Sequence, residues 1–228
     1  MEDLREIVLD TESTGLDYKQ GDRIIEIGCI ELVNKVKTNN YFHTYVNPER
    51  GVSKGAYNIH GISSDFLKDK PLFSDIAKEF YDFIKDSTLV IHNAKFDIGF
   101  INNEFQMIGM PKISISNVVD TLMIARKKFP GSPANLDALC KRFNISLDKR
   151  DKHGALIDSE LLAMVYVELI FGKQTKLEFQ SGSFKNVKSN AIKENFPNRT
   201  FELTEEENIL HNEVVESIPK AIWKKYNR

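Results

Sequence analysis

Residues 5–17, REIVLDTESTGLD, start as a buried strand and end in acid. Ile7, Val8 and Leu9 form an apolar run, and Asp10 and Glu12 follow at once among hydroxyls. In an extended chain residues i and i+2 share a face, so Asp10 and Glu12 point one way and Thr11 the other. Two like charges on one face repel unless a cation lies between them, a proton is shared or water solvates both. The stretch sets a charge problem at a strand end, and its solution has to come from elsewhere in the chain.

Working outward, apolar-rich runs at 24–33 and 40–46 predict two more strands after the one at 6–10. The polar NKVKTNN reads as the connection between them, and connections this short suit antiparallel neighbours. In LFSDIAKEFYDFIK, 72–85, Ile76, Ala77, Phe80, Phe83 and Ile84 lie on one helical stripe, and TLVIH at 88–92 reads as a short buried strand. Helical patterns follow at 95–107, 120–129, 135–143 and 155–171. Strands first and helix–strand alternation afterwards predict an α/β fold, a mixed central sheet flanked by helices. Asp120 and Asp137 read as helix caps outside any chemistry. Phe96, Phe100 and Phe105 at helical spacing read as core, as does Cys140.

With 228 residues and 41% hydrophobic content, the chain can build one well-packed domain and an appendage. Its formal net charge of -2 gives no global field to draw it onto long nucleic acid, so such a substrate must be held locally or delivered by a partner. Cys29 and Cys140 form no CxxC, and two cysteines are too few for a secreted disulfide framework, which favours a reducing cytoplasm. The acidic opening MEDLRE is unlike a signal peptide, and no apolar run reaches the length of a membrane span, so no membrane association is expected. After Gly172 the texture turns polar: 173–200 has six basic against two acidic residues and scattered apolar ones, the composition of a flexible linker. Residues 201–228 regain an apolar pattern and hold Trp223.

Two further stretches carry chemistry. VIHNAKFDIGF, 90–100, puts Asp97 just inside a helix that follows a buried strand, and KHGALIDSELLA, 152–163, puts His153 before a helix that carries Asp158. On a continuous helix His153 would sit about 140° from Asp158, so the histidine belongs on the preceding loop, where Gly154 eases the break. Singly, each acid reads as a cap or a solvated charge and the histidine as structural. Together, Asp10, Glu12, Asp97 and Asp158 are hard oxygen donors suited to Mg²⁺ or Mn²⁺, and two such divalent ions can serve a phosphodiester displacement.

The motifs VLDTESTGL, HNAKFDIGF, FPGSPANLDALCKRF and HGALIDSELLAMVY, in this order across residues 5–172, resemble the DnaQ-like DEDDh exonucleases, especially the proofreading members that serve bacterial replicative polymerases. The resemblance implies an RNase H-like fold in an exonuclease domain at 1–172, and 3′→5′ release of nucleoside monophosphates from DNA 3′ ends. It implies Asp10, Glu12, Asp97 and Asp158 as metal ligands and His153 as general base. Around the terminal nucleotide it implies Asp10, Glu12, Asp158, Thr11, Asn93 and the His60 of IHGI. Gly55 departs from the acidic residue of the family pattern. As partners the resemblance implies the catalytic (alpha) subunit of DNA polymerase III, bound by a tail at 201–228, and the small theta subunit. Gln174, Leu177 and Phe179, within 174–179, resemble the peptide by which replication proteins dock into the sliding clamp.

Two other readings compete. An RNA-trimming 3′→5′ exonuclease of the same superfamily would use the same metal chemistry, although a stand-alone trimmer has no need of a linker and an amphipathic end. A non-catalytic polymerase scaffold has no physical reason to bear the mutual repulsion of four acids.

Overall fold

The computed structural model describes residues 4–148, 150, 152–172 and 204–219. Strand β1 (Arg5–Ser13) pairs antiparallel with β2 (Ile24–Val33), which pairs antiparallel with β3 (Val36–Tyr45). On its other side β1 runs parallel to β4 (Thr88–Ile91), and β4 runs parallel to β5 (Val118–Asp120). The order β3-β2-β1-β4-β5 is the expected mixed sheet. Two local features differ from expectation. Asn34 and Lys35 alone make the β2–β3 turn, both at positive φ (52° and 68°), the conformation a two-residue hairpin needs. The strand therefore resumes at Val36 inside the polar stretch; this is the sheet edge, where exposure on both faces erases the alternation. The three-residue β5 was too short to register.

Alternation along β1 sorts the core into two layers. Ile7 and Leu9 face α3 (Phe73–Ile84) and α4 (Ala94–Met107), joining Phe73, Phe80, Ile101 and Phe105. Val8 faces the opposite way, with Ile30, Leu32 and Val90, against Leu162 and Tyr166 of α7 (Ala155–Phe171). A third cluster packs α5 (Thr121–Lys128) and α6 (Leu136–Phe143) on α7 through Ala125, Leu139, Cys140, Leu161 and Val165. Two short helices, α1 (Lys54–His60) and α2 (Ser64–Leu67), fill the link from β3 to α3; Ser53 and Ser63 cap them, a start signal that the apolar periodicity leaves silent. Phe100, Phe105 and Cys140 are buried as expected, and Phe96 is partly buried.

In the separate C-terminal unit, α8 (Glu205–Ser217) begins with a capping box: Glu207 N–H donates to Thr204 Oγ1 at 3.3 Å, and Thr204 N–H donates to Glu207 Oε2 at 3.0 Å. The expected linker 173–200 with its segment 174–179, and residues 201–203 and 220–228, lie outside the described residues. Among the described residues, no helix is long and apolar enough to cross a membrane.

Candidate active site

The site forms where β1 outruns its parallel neighbour. β4 pairs only with Glu6–Val8, so the rest of β1 projects past the carboxyl end of β4, the edge at which ligands bind in parallel sheets. Asp10 and Glu12 continue the face of Val8, toward the α7 layer; Thr11 turns to the α4 layer. There Thr11 donates to Asp97 twice, from its hydroxyl (2.7 Å) and its backbone N–H (3.1 Å). Asp97 lies in the first turn of α4, directly after β4. Asp120 caps α5 as expected, but its carboxylate also accepts from the N–H groups of Asn93 and Ala94 (3.2 Å each) and so fixes the head of α4.

From the opposite layer α7 brings Asp158 in its first turn, 3% exposed. His153 sits on the loop before α7, with Nδ1 3.0 Å from Asp158 Oδ2. One atom each of Glu12, His153 and Asp158 lie within 4.8 Å of one another. The sequence motifs do not signal Arg150. Its Nε and Nη2 donate to the two oxygens of Asp158 (2.5 and 2.6 Å), Nη1 donates to Asp137, and Nη2 lies 2.7 Å from His153 Nδ1. Asp158 and Arg150 are alternatives at that nitrogen: protonated, Nδ1 donates to Asp158 and leaves Nε2 basic; unprotonated, it accepts from Arg150. Asp137 does not cap α6, a correction. Asn135 does, accepting from Ala138 N–H at 2.8 Å, and Asp137 instead holds Arg150 against the site.

Crowding sets the electrostatics. Burial, then Asp97 and Glu12, push the Asp10 carboxyl well above the usual range. Burial, then Asp158 and Glu26, push Glu12 up to about 8. Burial lifts Asp97 to about 7 against the hydrogen bonds from Thr11. Asp158 runs the other way: burial would raise it, but His153 and Arg150 hold it below its ordinary value. Clustered hard oxygens whose charge is disfavoured by burial and by one another fit a small divalent cation, which would offset both.

His60, at the end of α1, is buried and accepts from Ile62 N–H at Nδ1 (3.0 Å). Its proton is therefore on Nε2, which lies near the Ser13 backbone without a formed hydrogen bond. Burial lowers its pKa, which keeps it a neutral donor. Asn93 is exposed at the head of α4 in left-handed conformation (φ 68°), its side chain unused as a cap. Sequence reasoning also passed over Glu26 and His43. Glu26 is buried opposite Glu12 and accepts from His43 Nε2 (2.8 Å) and Ala155 N–H (3.1 Å). The signal was a lone acid inside the apolar run IIEIGCI. His43, His60, Lys152 and His153 line a cleft of about 410 Å³ beside it.

A mixed five-stranded sheet with acids from both helical layers converging on the end of its central strand defines a nuclease of the RNase H-like class. The exonuclease family model matches residues 7–166, and the chain belongs to that family. The protein called DNA polymerase III subunit epsilon in Rickettsia felis is 52% identical over 228 residues, covering 97% of this chain and all of the relative. Its namesake in Escherichia coli is 48% identical over 182 residues, 77% of this chain and 74% of the relative. Among solved structures, that of Exonuclease X in complex with 5′ overhanging duplex DNA is 26% identical with a TM-score of 0.59, covering 75% of this chain and 94% of the other.

Proposed function

We propose that this exonuclease removes nucleoside monophosphates from DNA 3′ ends, with two divalent ions, Mg²⁺ or Mn²⁺, and proofreads for a bacterial DNA polymerase III in the cytoplasm. The observation that carries it is the meeting of Glu12, Asp158 and His153 within 4.8 Å at the strand end that also bears Asp10 and faces Asp97. Asp10, Glu12, Asp97 and Asp158 would hold the ions. Bound there, such ions neutralise the phosphate and stabilise the attacking and leaving oxygens.

The chain's own residues do the rest. Thr11 fixes Asp97 by donating twice to the same oxygen, Oδ1. His153, oriented by Asp158, takes the proton of the attacking water at Nε2. His60, buried with Nε2 beside the Ser13 backbone, would shape the wall of the terminal-nucleotide site from behind the end of β1, and Asn93, exposed at the head of α4, would meet the nucleotide from the α4 side. The Rickettsia felis relative, named as a subunit of DNA polymerase III, aligns over 97% of this chain, which supports a place in such an assembly. Within it the chain would bind the polymerase catalytic subunit through 201–228, with the small theta subunit and, at Gln174–Phe179, the sliding clamp as further partners.

The test compares mispaired primer ends, paired ends and short RNA, each with Mg²⁺, Mn²⁺ or excess chelator. Metal-dependent release of 5′-mononucleotides, fastest at the mispaired DNA end, is expected. Preference for RNA would favour the trimming enzyme, and full activity in chelator would overturn the metal assignment.

A further inference from the structure

Glu26 occupies a costly place. Its side chain is 4% exposed, in the middle of the apolar run of β2, and it faces Glu12 across the antiparallel pair. A buried carboxylate beside other carboxylates needs a compensating use. It does not point at the metal-type cluster, because both oxygens are engaged elsewhere: Oε1 with His43 Nε2 at 2.8 Å and Oε2 with Ala155 N–H at 3.1 Å. Ala155 is the first residue of α7, and the Gly154 N-cap has no side chain to satisfy that end. The helix is therefore capped from a neighbouring strand, by a charge of the sign its amino terminus favours. Two more ties act at the same place. Ser159 Oγ donates to Gly28 O at 2.8 Å, and the Gly28 backbone approaches Ala155 so closely that a Cβ there would lie 2.3 Å from its carbonyl carbon. These ties fall between two and six residues after His153, and on both sides of Asp158.

We propose that Glu26, braced by His43, is a positioning residue for His153: it anchors the first turn of α7 to β2 and so fixes where the histidine loop leaves the helix. This rests on the assignment of His153 as general base. The role asks for an acceptor facing Ala155, while the second oxygen keeps the carboxylate turned that way through His43. A Gln at this position keeps one acceptor, whereas Met keeps the volume and loses both.

The experiment uses the full chain with saturating Mg²⁺ and a single-stranded oligonucleotide, and compares E26M, E26Q and H153A with the natural protein. Misplacement of a catalytic group by an ångström costs on the order of 100-fold, so E26M should lose about 10- to 100-fold in kcat with KM changed less than about threefold. E26Q should keep at least about a third of the natural kcat. Amide exchange at Ala155 should quicken in E26M but not in E26Q. A role in stability alone would lower the melting temperature and leave kcat per folded molecule untouched, which overturns the proposal. Equal losses in E26Q and E26M overturn it too, since charge rather than the hydrogen bond would then be acting. Should E26M not fold, H43L removes only the brace and should lower kcat about threefold or more at unchanged KM; no loss overturns the proposal. An active H153A retires the general-base assignment itself, whereas an inactive H153A beside a normal E26M retires only Glu26.

Discussion

At the residue scale the site is an unfinished charge balance, and this makes it testable by pH. Asp10 is raised, Glu12 sits at about 8 and Asp97 at about 7, so the folded metal-free chain holds protons that the unfolded chain releases near pH 4. A raised carboxyl contributes stability below its unfolded value and loses it as pH climbs through the folded one. Without metal the protein should therefore melt several degrees lower at pH 8.5 than at pH 5.5, and Mg²⁺ should narrow the gap. Asp158, whose folded value is lowered, acts with the opposite sign and only at more acidic pH. Asp10→Ala should abolish hydrolysis yet raise the metal-free melting temperature, because it removes a repulsion along with a ligand. A chelated protein no less stable at pH 8.5 would contradict this electrostatic account. For His153→Ala, turnover should fall at least about 100-fold with substrate binding retained; a near-normal rate would remove the histidine from the chemistry. The acids and histidine were legible because their spacing is local: D-x-E on a strand, Asp97 after a strand, His153 five residues before Asp158. Arg150 was not, since its role depends on a loop folding back so that α6 and α7 share it through Asp137 and Asp158.

Elements were legible in proportion to the periodicity that burial imposes. The long helices α4 and α7 and strand β2 emerge within a residue of expectation because one stripe or both faces are apolar. The start of β3 and the helices α1 and α2 were not, since turn geometry and serine caps rather than a buried stripe create them. The functional contact between elements is the least visible of all: β2 touches α7 backbone to backbone at Gly28. A methyl group there would lie 2.3 Å from the Ala155 carbonyl carbon and 2.4 Å from Leu156 N, atoms that move only with the helix. Gly28→Ala should cost about 1–3 kcal/mol, the usual range for overpacking. Since the displaced turn carries Asp158 and adjoins the loop of His153, kcat should fall further than the lost stability explains. Urea unfolding and steady-state rates measured on the same preparation check this, and a variant with unchanged rate would show the close approach to be tolerant.

For the whole molecule, the question is how a nuclease with net charge -2 finds a primer end. A chain with so small a net charge gains little from electrostatic steering, so in the proposed assembly delivery would fall to the extension. Its first proposed contact is the clamp: replacing Gln174, Leu177 and Phe179 by alanine should weaken clamp binding and leave hydrolysis of short single strands intact, and unchanged clamp affinity would retire that contact. The second is the polymerase, at 201–228. In the C-terminal unit α8 exposes Ile209, Leu210 and Val214, which fall within an arc of about 140° and form the kind of face an amphipathic helix offers to a partner's groove. A flexible coil the length of 173–200 would span about 26–32 Å root-mean-square, enough for the nuclease to reach a frayed end while bound, at an effective concentration approaching millimolar. All the residues assigned to the nuclease site precede Gly172. Truncation after Gly172 should therefore leave hydrolysis of single-stranded DNA nearly unchanged, abolish co-purification with the polymerase catalytic subunit, and remove proofreading from the mixture. A truncated protein that still forms a stable complex with that subunit would place the tether on the nuclease domain, and the apolar face of α8 would then need another partner.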